Sequence, residues 1–311
     1  MSKMRTVLLL VHSGRAQAPT VAVEFANEIR RSGISIRVVD TDLDALKAAD
    51  IGDVESVPHG PDAARGCELA VVFGGDGTIL RGAEVCRQTR TPVMGVNLGH
   101  VGFLAEADVE DLHHVVQGVV NRTYIIEERL TLDVEVIVGG KVVERNWALN
   151  EASVEKAARG RMLEVVVEID DRPLSRWGCD GVVCATPTGS TAYNFSAGGP
   201  IVWPEVEALL MVPISAHALF ARPVVVSPDS KLAIEVVPDG QAHGVVWCDG
   251  RRASELPPGA RIEVRRGTIP VLLARLQQRP FTDRLVRKFN LPVSGWRGAA
   301  EQRRQQQDGG S

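Results

Sequence analysis

Several features that would assign the chain to other classes of protein are missing from it. The five cysteines are odd in number and form no Cys-x-x-Cys pair, which disfavours both a disulfide framework and a zinc site. No apolar run approaches the length of a membrane span, and the apolar stretch at 7–11 is too short for a signal peptide. The formal net charge of −4 argues against a nucleic-acid partner. We therefore expect a cytoplasmic protein with buried free thiols and with neither a nucleic-acid nor a membrane partner.

Two common nucleotide-binding motifs are absent as well. The sequence contains no G-x-x-x-x-G-K-[ST], which excludes a P-loop, and no G-x-G-x-x-G after a strand, which removes the usual dinucleotide fingerprint. The 311 residues are enough for one large domain or two ordinary ones, and the 44% of hydrophobic residues is ordinary for a globular protein. A phosphate site in this chain would have to use a different glycine-rich turn.

The sequence is organised around one such turn, which follows a buried strand. Residues 69–73 form a continuous apolar run that predicts a strand buried on both faces, the glycine-rich stretch 74–77 ends it, and 78–87 predicts a helix. Backbone N–H groups and the helix dipole attract anions at such a turn, and glycine lets a ligand come close. The carboxylate of Asp76 would repel phosphate, so it makes sense if it takes a proton from an attacking hydroxyl or holds a metal ion. We therefore hypothesise phosphoryl transfer at this turn.

Strands and helices alternate four times across the first part of the chain, which predicts a doubly wound, Rossmann-like α/β domain. In such a domain ligands bind at the carboxyl ends of the strands. A second glycine-rich turn, 97–104, follows another predicted strand, so both turns should lie on the same rim of the sheet and act together. The predicted strands are 6–11, 34–39, 69–73 and 92–97, and the predicted helices are 19–31, 78–87 and 109–120, with a shorter one near 43–49.

The second part of the chain is rich in short strands. Residues 131–138 alternate apolar and polar side chains, Gly139-Gly140 makes a turn, and 141–148 continues, which predicts a hairpin. Further strands are predicted at 163–169, 181–185, 223–226, 232–237, 245–248 and 261–265, and one short helix at 204–211. We therefore expect an α/β domain over 1–124, an all-β domain over 125–279, and a disordered tail over 298–311 that has nothing to bury.

Three polar clusters in the second part do not resemble ordinary strand sequence. Asn150-Glu151 places an amide beside a carboxylate after an apolar strand, which suits a diol such as a ribose because each hydroxyl both donates and accepts. The second cluster is Cys179-Asp180-Gly181, and the third is the loop 186–200, which crowds five hydroxyl groups and several glycines. Polar turn chemistry accounts for any one of these clusters more readily than for all three together.

Taken in order, these motifs resemble those of the NAD kinases, and most closely the actinobacterial branch of the bacterial enzymes. The likeness covers the chain from the first strand to about Trp296. The first motif is shared with diacylglycerol and sphingosine kinases, whereas Thr-Gly-Ser-Thr-Ala-Tyr together with Asn-Glu is much more specific. The motifs are Gly74-Gly75-Asp76-Gly77-Thr78, Asn97-Leu98-Gly99-His100-Val101-Gly102-Phe103, Asn150-Glu151, Asp180-Gly181 and Pro187-Thr188-Gly189-Ser190-Thr191-Ala192-Tyr193.

The resemblance implies a role for individual residues. Asp76 would be the general base toward the adenosine 2′-hydroxyl of NAD, with Gly77 beside the substrate. Phe103 would pack on the adenine, with His100 nearby, while Asn150 and Glu151 would hold ribose hydroxyls. The residues expected at the ATP phosphates are Gly74, Gly75, Thr78 and, one turn into the helix, Arg81. The residues expected to frame the remaining nucleoside parts are Asp180, Thr188, Thr191, Ala192, Tyr193, Asn194, Phe195 and Ser196.

Further expectations follow from the resemblance. The basic residue that family members use against the substrate would be Arg159 or Arg161, and we favour Arg161 because it directly precedes the next strand. The β domain would be sandwich-like, and the chain would return to the first domain over about 280–297, with the amphipathic, basic segment 281–289 making that return. In this family an Asp-Gly loop of one subunit reaches a neighbour's site, which implies a homodimer or homotetramer.

The activity implied is that of an NAD kinase, a phosphotransferase with an alcohol acceptor. The γ-phosphoryl group of ATP, or a phosphoryl group of inorganic polyphosphate, would pass to NAD to give NADP. A divalent cation, with Mg²⁺ the expected ion, would bridge the phosphates, and the sequence offers no all-protein cage for it. Two alternatives stay open: a lipid kinase with the same Gly-Gly-Asp-Gly-Thr turn, and a sensor that binds NAD or NADP without turnover.

Overall fold

The computed structural model describes residues 5–12, 14–99, 102–105, 107–108, 111–158, 160–238, 242–277 and 280–293. His100, Arg159 and the tail predicted at 298–311 lie outside the described residues. The first part holds β1 (Thr6–Val11), α1 (Gln17–Arg31), β2 (Ser35–Val39), α2 (Asp40–Ala48), β3 (Glu55–Val57), β4 (Leu69–Phe73), α3 (Asp76–Cys86), β5 (Val93–Asn97), β6 (Ala107–Asp108), α4 (Leu112–Asn121) and β7 (Ile125–Arg129).

The remaining elements are mostly strands. They are β8 (Leu132–Val138), β9 (Lys141–Ala148), β10 (Glu151–Lys156), β11 (Leu163–Ile169), β12 (Arg172–Cys179), β13 (Gly181–Ala185), the short helix α5 (Tyr193–Ser196), β14 (Leu209–Ile214), β15 (Val224–Val226), β16 (Leu232–Val236), β17 (Gly244–Cys248), β18 (Arg252–Leu256), β19 (Arg261–Arg266), β20 (Val271–Arg275) and the last helix α6 (Phe281–Phe289). A 3-10 turn at Thr188–Thr191 precedes α5.

The first sheet has eight strands in the order β3-β2-β1-β4-β5-β20-β7, with β6 also paired to β5. Its strands are parallel except β7, which runs antiparallel to β20. Alternate side chains of β1 enter two different cores, since Val7 and Leu9 pack with α1 and α4 whereas Leu8 packs with α3. Helices thus cover both faces of the sheet, and the predicted doubly wound α/β domain is confirmed.

The β-rich part is a sandwich of two antiparallel six-stranded sheets. Their strand orders are β12-β11-β16-β19-β8-β9 and β15-β14-β13-β10-β17-β18. The inward-facing residues of both sheets form one core around Trp177, which is completely buried. The chain crosses from one sheet to the other between β9 and β10, at residues 149–150. An α/β domain followed by a sandwich-like β domain is therefore the fold class, as the sequence predicted.

The helix predicted at 204–211 is wrong. Residues Leu209–Ile214 form β14, which pairs with β13 on one side and β15 on the other. A short apolar run does not distinguish a buried strand from a buried helix, and here sheet partners on both sides decide in favour of the strand. Farther upstream, the predicted helix near 43–49 begins earlier than expected, at Asp40, and the strand β3 was not predicted.

Two strands that the sequence did not predict tie the end of the chain to its beginning. β20 enters the first sheet between β5 and β7, so the return to the α/β part begins at Val271 and continues into α6. β7 belongs to the same sheet, while the predicted division at 124/125 and 279/280 stays a prediction.

All five cysteines are free thiols, and four of them are buried. In the part of the chain that the structure describes, no helix has both the length and the apolar character needed to cross a membrane.

Candidate active site

Asp76 is the first residue of α3 and lies where the two glycine-rich turns meet. Its Oδ2 accepts the backbone N–H of Phe103 at 3.0 Å, and its Oδ1 accepts that of Leu104 at 3.1 Å. A Cβ atom on Gly102 would collide with this carboxylate, so a glycine is needed there for close approach. The two rims that the sequence placed at one edge of the sheet are thus joined through the Asp76 side chain.

The glycines of the first turn differ in what surrounds them. A Cβ on Gly74 would collide with the side chain of Thr78, whereas a Cβ on Gly77 would meet nothing within 4 Å. Gly74 therefore serves the packing of the turn. Gly77 is exposed and leaves the carboxylate side of the turn open to a ligand.

A cleft of about 620 Å³ opens at the N-terminus of α3. Its lining includes five predicted residues together with others that the sequence did not single out. Among the latter, the Nδ1 of His12 accepts the Gly14 N–H at 3.0 Å, so the neutral ring carries its remaining N–H on Nε2. The lining residues are Val11, His12, Arg15, Gly75, Asp76, Gly77, Thr78, Leu80, Arg81, Asp249 and Arg251.

Arg81 lines the cleft, and its guanidinium is held by Asp42 and by the backbone of β1. Its guanidinium donates to both oxygens of Asp42, at 2.8 and 2.6 Å, and to the carbonyl of Val11 at 2.7 Å. Asp42 is completely buried and also accepts the Val11 N–H. The pair thereby fixes the end of β1 against α3, which is a structural task that the sequence did not reveal.

The predicted diol-binding pair lies at the crossing between the two sheets of the sandwich. Backbone N–H groups of Leu149 and Asn150 donate to the carboxylate of Asp249, at 2.7 to 3.0 Å. Arg252 closes the arrangement with a 2.8 Å bond to the same carboxylate. Asp249 has a φ of +54° in the turn between β17 and β18, and it is buried. A structural carboxylate thus holds the corner that carries Asn150 and Glu151.

The side chain of Glu151 is buried and incompletely satisfied. It is 7% exposed, and its Oε2 has no hydrogen-bond partner among the described residues. Burial, followed by the charge of Asp249, raises its pKa to about 8, although the Tyr193 backbone N–H opposes the shift. A buried carboxyl group with an oxygen that lacks a partner is suited to form a hydrogen bond with a hydroxyl group of a ligand.

The hydroxyl-rich loop folds against this corner. The Thr186 hydroxyl donates to the Leu149 carbonyl at 2.6 Å, and a Cβ on Gly189 would collide with the Asn150 backbone. The amide of Asn194 is fully buried and donates to the carbonyls of Ser190 and Pro200, so it shapes the loop from within.

A second, smaller cavity lies on the other side of the loop. It brings Phe103, Thr188 and Thr191 together with Phe281 of the last helix. Phe195 is 42% exposed, and its ring lies 4.8 Å from that of Phe289. The structure therefore brings four of the residues predicted to contact the nucleoside, Phe103, Thr188, Thr191 and Phe195, close to the last helix.

Asp180 and Arg161 are predicted substrate contacts whose side chains are accessible to solvent. Neither lines the cleft or the smaller cavity. The Asp180 carboxylate pairs with Lys156, and this bond lowers its pKa, while its side chain is 40% exposed. Arg161 is exposed as well.

The fold and the site define a class of protein: a kinase whose Gly-Gly-Asp-Gly turn opens a cleft in an α/β domain that is followed by a β-sandwich. The family models of the ATP-NAD kinase N-terminal and C-terminal domains match residues 7–124 and 149–276. The chain is 59% identical to the NAD kinase of Thermobifida fusca, covering 96% of this chain and 93% of that protein. It is 60% identical to NAD kinase 2 of Streptomyces coelicolor, covering 96% and 98%. The chain belongs to the NAD kinase family, and NAD kinase activity is its function.

Solved structures agree on the fold. Yeast NADH kinase complexed with NADH superimposes with a TM-score of 0.85 at 24% identity, covering 94% of this chain and 90% of that one. An NAD kinase from Archaeoglobus fulgidus in complex with ATP gives 0.70 at 22% identity, covering 92% and 100%. The family and the activity implied by the sequence motifs are thus confirmed, and neither the lipid kinase nor the non-catalytic sensor describes this chain.

Proposed function

We propose that the chain transfers the γ-phosphoryl group of ATP to the adenosine 2′-hydroxyl of NAD, with Asp76 as the general base. One observation carries this assignment: the Asp76 carboxylate is fixed by two backbone N–H groups at the edge of a cleft that also holds three arginines and a histidine. A base anchored beside a phosphate-binding cleft is the arrangement that in-line phosphoryl transfer requires.

The donor phosphates are assigned to the cleft. The open backbone at 75–78 begins α3, where N–H groups and the helix dipole favour negative charge. Arg15 and Arg251 also line the cleft, Arg251 being paired with Glu84, and the neutral ring of His12 carries an N–H on Nε2. These groups neutralise oxygen charge in the ground state and in the transition state, which is the main contribution of a protein to this reaction.

The acceptor is assigned to the seam between the domains. Asn150 and Glu151 would hold ribose hydroxyls, because Glu151 has a buried oxygen without a partner. Phe103 would pack on the adenine, within the cavity that Thr188 and Thr191 also line. Ala192, Tyr193 and the segment through Ser196 would complete this wall.

Asp76 needs only a late proton transfer. Each of its oxygens accepts one N–H and retains another lone pair for the substrate hydroxyl. A bond forms between the 2′-oxygen and the γ-phosphorus, the bond between that phosphorus and the bridging oxygen breaks to release ADP, and the hydroxyl proton passes to Asp76. Since the transition state is loose, the proton moves late and a carboxylate is a sufficient base.

The divalent cation that kinases use is proposed to be Mg²⁺. Among the described residues no three His, Cys, Asp or Glu side chains come close enough to form a protein cage. Of the two carboxylates that line the cleft, Asp249 is engaged by backbone N–H groups and Arg252. The residues present therefore fit an ion held chiefly by phosphates and water, with Asp76 beside it. When bound, the ion would neutralise charge on the phosphate oxygens.

A homo-oligomer, a dimer or a tetramer, is part of the proposal. Asp180 and Arg161 are two predicted substrate contacts, yet neither reaches the cleft of its own chain. Their placement supports a role toward a neighbouring subunit's site, as the family resemblance implies.

The test is NADP formation by the purified protein with NAD, ATP and Mg²⁺, followed with an NADP-specific dehydrogenase. Inorganic polyphosphate replaces ATP in a parallel reaction and decides between the two donors. We expect Asp76→Asn to lower kcat by about a hundredfold or more while NAD binding, measured by calorimetry, stays nearly intact. A kcat near that of the wild type would show that Asp76 is not the base.

A further inference from the structure

The segment 102–105 is held on both sides of its backbone. Its N–H groups at Phe103 and Leu104 donate to the Asp76 carboxylate. Its carbonyl groups at Phe103, Leu104 and Ala105 accept from two arginines of the segment that returns to the α/β domain. The orientation of Asp76 is therefore coupled to residues about 200 positions later in the chain.

The first of these arginines, Arg275, ends β20 and is only 1% exposed. Its Nη1 donates to the Leu104 carbonyl at 2.8 Å and to the Ala105 carbonyl at 3.3 Å. Its Nε donates to Glu127 of β7 at 3.1 Å, so the buried charge has a carboxylate partner. A buried guanidinium with these partners cannot shift without losing them, which makes it a rigid support for the turn.

The second arginine, Arg284, lies on α6. Its Nη1 donates to the Phe103 carbonyl at 2.9 Å and to the Ala105 carbonyl at 3.3 Å. The rings of Phe281 and Phe289, on the same helix, each lie 5.9 Å from the ring of Phe103. The helix therefore contacts both the backbone of the turn, through Arg284, and the aromatic side chain of the turn, Phe103.

We propose that Arg284, supported by Arg275, is a positioning residue for the catalytic base. By holding the carbonyl groups of the turn, the two arginines fix the N–H groups that aim Asp76 at the acceptor hydroxyl. This inference rests on the proposed role of Asp76. It follows that the active site is complete only when α6 is docked, although α6 contributes no group that reacts.

The experiment is a double-mutant cycle in the full-length protein, with kcat measured at saturating NAD and ATP for the wild type, Asp76→Asn, Arg284→Ala and the double variant. We expect Arg284→Ala to lower kcat about tenfold, because a base misplaced by a fraction of an ångström loses rate steeply. In the Asp76→Asn background it should lower kcat no further, since no base remains to be positioned. Arg284→Lys keeps the positive charge and a single donor nitrogen, so its kcat should lie between that of Arg284→Ala and that of the wild type.

Arg176→Ala is the matched control, because it removes an exposed arginine of β12 that is paired with Glu164. It should leave kcat unchanged, and thermal unfolding should confirm that all variants are folded. Arg284→Ala lowering kcat by the same factor in both backgrounds, or in neither, would overturn the positioning role and leave the base assignment standing. Asp76→Asn turning over at the wild-type rate would overturn the base assignment and this inference together.

Discussion

The two halves of the site, the cleft at the start of α3 and the corner between β9 and β10, differ in their exposure and in the charged side chains that line them. The cleft at the start of α3 is open, with an exposed Gly77, backbone N–H groups and the side chains of Arg15 and Arg251. The corner between β9 and β10 buries two acidic side chains, Glu151 and Asp249, and Asp249 also borders the cleft. An open cationic cleft suits phosphates, which arrive charged and partly solvated. A closed corner with carboxylates suits neutral hydroxyls, which gain most when water is excluded.

The same device, a carboxylate held by consecutive backbone N–H groups, serves both halves. Asp76 accepts two such groups and is presented to the cleft, whereas Asp249 accepts those of Leu149 and Asn150 and is locked by Arg252. The difference lies in what remains available. Asp76 keeps open lone pairs for chemistry, and Asp249 is consumed by the structure. Under the proposed mechanism Asp76 is a reactant, whereas Asp249 supports the backbone that carries Glu151.

The largest effect expected from breaking the corner comes from Asp249→Ala. Without this carboxylate, the N–H groups of residues 149–150 and the guanidinium of Arg252 would lose their hydrogen-bond acceptor. We expect the free energy of unfolding to fall by about 3 kcal/mol. The KM for NAD should rise about tenfold or more, because the backbone that presents Asn150 and Glu151 would no longer be held in place. Urea unfolding and steady-state kinetics measure the two effects.

Asp171→Ala is the matched control for this substitution. Asp171 has a φ of +60°, close to the +54° of Asp249, so alanine brings similar backbone strain at both positions. Its carboxylate is exposed and pairs with Lys231, which contributes little. Equal losses of stability in the two variants would mean that Asp249 does not hold the corner.

The next largest effect separates the cleft from the corner. In Gly102→Ala the new Cβ would collide with the Asp76 carboxylate and turn it away from the acceptor. We expect kcat to fall between about tenfold and a hundredfold with little change in the KM for ATP. Gly60→Ala, where a Cβ would meet nothing within 4 Å, is the control and should keep full activity. Retention of the wild-type kcat in Gly102→Ala would show that the carboxylate tolerates displacement.

Local sequence motifs predicted how the residues of the cleft come together better than they predicted what holds the corner between β9 and β10. The turn around Asp76 and the turn around Phe103 were expected to act together, because parallel strands end on one rim, and the structure joins them by two hydrogen bonds. Asp249 was not predicted, because it sits in an ordinary-looking Asp-Gly turn and meets Asn150 only across 99 residues. Arg275 contacts Leu104 across 171 residues, a pairing that requires β20 to enter the first sheet. The spacing of residues along the sequence does not indicate contacts between positions so far apart.

A smaller effect, on binding alone, is expected from Glu151→Ala. Loss of the buried carboxylate should raise the KM for NAD about tenfold and the KM for ATP by less, because the side chain lies in the corner and not in the cleft. Glu155→Ala on the same strand provides the comparison, and it should change the KM for NAD less. A larger change in the KM for ATP would place the corner on the donor side and reverse the assignment of the two halves.

The last effect expected is a change in how the free energy of unfolding depends on pH. The pKa of Glu151 is about 8 in the folded protein, and a glutamate in an unfolded chain titrates near ~4.3. Folding therefore favours the protonated form, so the stability linked to this group is fully present below pH ~4.3 and is lost as pH rises toward 8. Glu151→Gln removes that loss and keeps a neutral amide of similar size. Burial raises the pKa of Asp249 as well, but Asp249 is present in both proteins, so the difference between them isolates Glu151. Urea unfolding between pH 5 and pH 8 should show a flatter profile for Glu151→Gln, with a gain in unfolding free energy over the wild type that grows toward pH 8. Parallel profiles would mean that the corner is solvated enough to hold a charged glutamate, and the contrast between a closed corner and an open cleft would then fail.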